Sequence, residues 1–80
     1  MFNKRRALAQ VVRARRKALG LTQQELADRA RCDLQTINRI ENAARSTRLE
    51  RAYGVAEGLG MSLPALFRTM EEHPCWPTGG

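Results

Sequence analysis

The sequence predicts an all-α fold, a compact bundle of five short helices, and three observations carry that expectation. No segment alternates Val, Ile, Thr or aromatic residues against polar ones, so nothing reads as a strand. Apolar residues recur at helical spacing in short runs instead. Each run is bounded by capping or stop residues, among them Gly20, Thr22, Asp33, Gly60 and Ser62.

The first helix is expected over residues 3–19, with Leu8, Val12 and Leu19 on one stripe and Gly20 closing it. Thr22 and Glu25 form a capping box for the second helix, Gln23–Ala30, whose inner face is Leu26, Ala27 and Ala30. Asp33 caps the third, over 34–44. Ser46 or Thr47 caps the fourth, which runs to Leu59 and buries Leu49, Ala52, Tyr53 and Ala56. Ser62 caps the fifth, which accepts Pro64 in its first turn and carries Leu63, Leu66, Phe67 and Met70. Residues 1–72 make one domain, and 73–80, HPCWPTGG, an irregular tail.

A chain of 80 residues buries a modest core, so it needs good packing or a partner, and a homodimer is the natural expectation. Only Cys32 and Cys75 could form a disulfide, no signal-peptide pattern is present, and no apolar run spans a bilayer. The expected setting is the reducing cytoplasm. Lys and Arg number 14 against 8 Asp and Glu, for a formal charge of +6, and 12 of the 14 are Arg. Guanidinium forks suit phosphates and base edges, so the balance points toward nucleic acid.

The stretch LQTINRIENAAR, residues 34–45, is mostly polar around Ile37 and Ile40. On a helical wheel Ile37, Ile40 and Ala44 point one way, with Leu34 at their edge. Gln35, Arg39 and Asn42 point the other way, flanked by Asn38. Arg pairs bidentately with guanine, and Gln or Asn with adenine, so this face has the chemistry to read bases; the alternative is an ordinary solvated surface. Glu41 falls on the inner side, as does Arg16 of the first helix. A carboxylate turned inward needs a partner, which predicts an Arg16–Glu41 pair tying the first helix to the third.

The second and third helices are joined by so short a turn that they cannot lie antiparallel and must cross steeply, as in a helix-turn-helix. The segment from Leu21 to Phe67 resembles the phage Cro/repressor-like, or Xre, family through LTQQELA, then the isoleucines and glutamate of TINRIE, then LGMSLPALF, in order and without a gap. With VVRARRK of the first helix the likeness covers most of the chain. The single-domain length is similar to that of small restriction–modification controller proteins and mobile-element regulators.

The resemblance implies a lambda-repressor-like fold and a transcriptional regulator that binds a pseudo-palindromic operator on double-stranded DNA as a homodimer. It implies that Leu34, Gln35, Thr36, Asn38 and Arg39 face the major groove, that Gln23 contacts a phosphate and braces the recognition helix, and that Asn42 and Arg45 lie near the DNA backbone. It matches Arg16 and Glu41 to the family's interhelical ion pair. It places the dimer contact on the last helix, at Leu66, Phe67 and Met70, and the protein in a bacterial or phage setting, on the nucleoid when bound. Three positions depart from the family pattern. Arg31 and Ala43 stand where Gly is usual, and Thr47 where Pro is common. With Ala at 43 the third helix is free to run on for another turn, and an Arg forced to a left-handed backbone at 31 would be strained.

Other features weigh less. Arg5, Arg6, Arg13, Arg15, Arg16 and Lys17 make the first helix basic; Arg13 is the candidate phosphate contact, against a merely solvated face. That helix has too narrow an apolar face for a membrane surface. Cys32 reads as a buried, inert thiol. His73 and Cys75 lack metal-ligand spacing, and one His without an acid, base or nucleophile cluster argues against an enzyme. No cofactor and no small-molecule effector are expected. The rival reading is an antitoxin-like protein that chiefly holds a protein partner through the segment from Glu71 onward.

Overall fold

The computed structural model describes residues 4–44 and 47–74. Among them the regular elements are five α-helices: α1 (Lys4–Ala18), α2 (Gln23–Ala30), α3 (Leu34–Glu41), α4 (Leu49–Gly58) and α5 (Leu63–Glu72). Three start signals act as their side-chain chemistry dictates. Thr22 Oγ1 accepts from the Glu25 amide at 3.0 Å while the Glu25 carboxylate accepts from the Thr22 amide at 2.9 Å. Asp33 accepts from the Thr36 amide at 2.7 Å, and Ser62 from the Ala65 amide at 3.2 Å. Each occupies an amide that the first helical turn leaves without a partner. Asn3, Ser46, Cys75 and Trp76 lie outside the described residues.

The core joins all five helices. Leu26, Ile37, Leu59, Leu66, Val12 and Val55 are its largest fully buried side chains. α1 packs on α3 and α5, α2 on α3 and α4, and α4 on α5. The approach of α2 to α4 depends on absent side chains. A Cβ on Gly58 would meet the Ala30 amide, Arg29 Cβ and Leu26 Cδ1, each at 3.2 Å, and one on Gly54 would meet the Ala30 carbonyl oxygen at 3.1 Å.

Four helices close in the same way. Leu21, Cys32, Ala44 and Met61 each donate an amide to a carbonyl five residues back, on Arg16, Ala27, Arg39 and Ala56. A left-handed residue precedes each of these donors, the arrangement of a Schellman motif. After α1 and α4 that residue is Gly20 (φ +72°) or Gly60 (φ +71°); after α2 and α3 it is Arg31 (φ +58°) or Ala43 (φ +54°). The expected extension of α3 to Ala44 is therefore corrected. The helix stops at Glu41 because closing the last carbonyls outweighs the strain of a side chain at positive φ.

Three further expectations are revised. The residue at the N-cap of α4 is Arg48, with no side-chain capping bond, rather than Thr47. Leu49 and Tyr53 are 64% and 53% exposed. Ala52 and Ala56 are buried as expected, and Val55 and Gly58 join them, a small-sided face that lets α2 come close. Leu19 also lies on the surface, one residue past the end of α1.

Candidate nucleic-acid interface

Three helices meet at one buried carboxylate. Arg16 of α1 donates from Nε to Glu41 Oε2 at 2.7 Å and from Nη2 to Oε1 at 3.0 Å, the bidentate pair the helical wheel predicts. The two side chains are 12% and 3% exposed. Gln23, the first residue of α2, donates from Nε2 to Glu41 Oε1 at 3.2 Å, and Arg16 Nη1 donates to the Leu21 carbonyl at 2.8 Å. The hydrogen bonds that Arg16 donates to the Glu41 carboxylate, foremost, raise the Arg16 pKa and keep the guanidinium charged. The last turn of α3 is thus fixed to the start of α2 and to α1. The helical wheel found the ion pair and the family resemblance implied that Gln23 braces α3, as its bond to Glu41 does; the bond to the Leu21 carbonyl was not foreseen.

The opposite face of α3 projects outward. Gln35, Asn38 and Arg39 are exposed, as is Leu34. No hydrogen bond or salt bridge to a described residue holds Gln35 or Arg39. Asn42 Nδ2 donates to Asn38 Oδ1 at 3.0 Å, so the two amides form a row along one edge. Thr36 is half-buried, and its hydroxyl donates to Asp33 Oδ1 at 2.6 Å. Asp33 places a carboxylate at the foot of this face, held below the usual range by the Thr36 hydroxyl and then the Thr36 amide.

Arg13 is exposed on α1. Arg45 lies outside the described residues. Arg15, expected only as part of a basic face, donates from Nε to the Leu59 carbonyl at 3.2 Å and so closes the end of α4, whose last turn has no basic residue of its own. Its place seven residues after Leu8, on the buried stripe, was a readable signal for such a role. Cys32, in the turn between α2 and α3, is half-buried rather than buried, and burial pushes its thiol pKa up.

The residues expected to meet a partner subunit separate. Leu66 is fully buried in the chain's own core, so it has no surface to offer, and Met70 retains 6%. Phe67 keeps 38% of its surface. It borders an open apolar groove of about 270 Å³ with Leu8, Leu49, Ala52 and Met70, rimmed by Lys4 and Arg5. Tyr53 is exposed one turn along α4 from Leu49.

Among the described residues no three His, Cys, Asp or Glu side chains gather as a metal site, and no helix is long and apolar enough to cross a membrane.

The helix-turn-helix family model matches residues 12–66. No curated protein sequence matches the chain significantly. Among solved structures, the wild-type restriction-modification controller protein C.Esp1396I is similar over 84% of this chain and 87% of its own, with a TM-score of 0.78 and 24% identity. The clp gene regulator ClgR from Corynebacterium glutamicum is similar over 85% of this chain and 72% of its own, with a TM-score of 0.78 and 25% identity.

Proposed function

The chain belongs to the helix-turn-helix family of DNA-binding transcriptional regulators, and from that premise we propose that it binds a pseudo-palindromic operator as a homodimer, with α3 in the major groove. One observation carries this reading: α3 buries Ile37, Ile40 and Glu41 on one side and exposes Gln35, Asn38 and Arg39 on the other. Arg39 would pair with guanine, and Gln35 and Asn38 with adenine. Leu34 and the Thr36 methyl would meet thymine methyls. Gln23 gives one amide N–H to Glu41 and keeps the second for a phosphate; with Arg13, Asn42 and Arg45 it would set the register on the duplex. The exposed Phe67, Leu49 and Tyr53 supply the apolar surface for a second copy, with Met70 at the floor of the groove and Leu66 behind it. The regulator would act in the cytoplasm of a bacterium or phage host, with no cofactor or effector.

The test is fluorescence anisotropy on DNA from just upstream of its own gene, with excess random competitor and two salt concentrations. Tight, competitor-resistant binding with a steep salt slope is expected. Binding that random DNA removes would overturn the operator reading, and a co-purifying toxin-like protein would put an antitoxin-like role in its place.

A further inference from the structure

Residues Arg6, Gln10, Arg13 and Lys17 follow the i, i+4, i+7, i+11 spacing of a single helical ridge and are all exposed. The ridge runs for roughly 16 Å at 1.5 Å per residue. At its first half lies an open cleft of about 400 Å³ whose walls are Arg6, Ala9 and Gln10 of α1 and Asn42 and Ala43 after α3. Glu41 is at the cleft floor, and its charge is answered by Arg16. Across the cleft, Asn42 bonds Asn38, so the polar edge of the recognition helix ends at the wall that faces Gln10 and Arg6.

We propose that this ridge and cleft form a second DNA-backbone site, holding phosphates of the strand that flanks the recognition helix. The proposal rests on the DNA-binding reading and extends it from Arg13 and Asn42 to Arg6, Gln10 and Lys17 of α1. Charge selects the occupant. The α1 sequence KRRALAQVVRARRKA contains no acid, and phosphate is the dense, repeating anion that such a ridge complements. A lipid surface fits less well, because the apolar residues that would enter it, Ala7, Leu8, Val11 and Val12, are buried in the core.

Non-specific binding is almost wholly electrostatic, so the experiment needs no operator. The salt slope of log K on a mixed-sequence duplex is compared for the wild type, Arg6→Gln, Gln10→Lys and Arg68→Gln, with circular dichroism on each. Arg68 is exposed on α5, off the ridge, and its loss changes net charge as much as the loss of Arg6. The expected result is that Arg6→Gln flattens the slope by about 1, Gln10→Lys steepens it by about 1, and Arg68→Gln leaves it near the wild type. Equal changes for Arg6→Gln and Arg68→Gln would show an effect of net charge alone and overturn the ridge. So would a Gln10→Lys slope equal to wild type, which also decides the matter if Arg6→Gln fails to fold. The DNA reading fails separately: a wild type that does not bind the duplex overturns both, whereas a silent ridge in a protein whose Arg39→Ala variant loses site preference overturns only the ridge.

Discussion

The two faces of α3 divide eight residues between core and solvent, and they are held in opposite ways. The inner face is fully committed. Ile37 and Ile40 fill the core, and every oxygen of Glu41 is bonded to Arg16 or Gln23. The outer face is bonded only along its Asn38–Asn42 edge and at the Thr36 cap. A reading head needs both properties. Side chains that pair with bases must keep donors or acceptors to spare, as Gln35, Arg39 and the N–H groups of the Asn38 amide do, while the backbone that carries them must not move. The inner face should therefore govern stability and the outer face specificity, with little crossing between them.

The largest expected effect tests the inner face. Glu41→Ala leaves Arg16 half-desolvated without its carboxylate and should destabilise the fold by about 3–5 kcal/mol, read from urea denaturation. Small domains have only about 5–15 kcal/mol in total, so this variant should lose much of its melting transition. A loss below about 1 kcal/mol would show that water replaces the pair, and that the knot does not fix the helix.

Arg39→Ala tests the outer face. It should weaken operator binding by about 1–3 kcal/mol and relax preference at one base pair. Its stability should stay within about 0.5 kcal/mol of wild type, because the exposed side chain makes no hydrogen bond or salt bridge to a described residue and acts only through its charge on Asp33. An equal loss on random DNA would make Arg39 a phosphate anchor. A large fall in melting temperature would break the division between the faces.

The ends of α3 and α2 come next. Arg31→Gly and Ala43→Gly each relieve a non-glycine residue at positive φ. The relief is worth about 1–2 kcal/mol and is partly offset by glycine's greater freedom when unfolded, so each should gain roughly 0.5–1 kcal/mol and raise Tm. A lower Tm for Arg31→Gly would reveal a contact made by that side chain.

How much of this could be read beforehand depends on the range of the interaction. The caps at Thr22, Asp33 and Ser62 were legible because they join residues three apart. The Arg16–Glu41 pair was legible because each charge breaks the apolar stripe of its own helix. The outer face of α3 was legible as the complement of Ile37 and Ile40. The end of α3 was not, since Ala43 carries no sign of a left-handed backbone, and the closing bonds decide it. The buried face of α4 was read correctly at Ala52 and Ala56 and misread at its two bulky residues. Leu49 and Tyr53 are its bulky apolar residues, yet the helix turns its small side to the core because Gly54 and Gly58 permit contact with α2. Size favoured one face and packing took the other.

The smallest expected effect concerns the foot of the outer face. Asp33 is exposed, and its bonds to the Thr36 hydroxyl and amide hold its pKa below the usual carboxylate range. A group whose pKa is lower folded than unfolded contributes stability that is present above the unfolded value and lost as pH falls through the folded one. The stabilisation from Asp33 should thus be complete at neutral pH and disappear on acidification below the ordinary carboxylate range. Asn caps a helix about as well as Asp but does not titrate there. Asp33→Asn should consequently leave Tm almost unchanged at neutral pH and reduce its fall in acid. The box at Thr22 contributes a similar decline through Glu25, whose pKa is also lowered, first by its bond from the Thr22 amide, and that part should persist in the variant. Identical acid limbs for the two proteins would mean that the Asp33 cap is equally strong when protonated. The outer face would then be anchored at its foot by geometry and not by charge, and the carboxylate would matter mainly for what it repels: a phosphate that comes too near the start of α3.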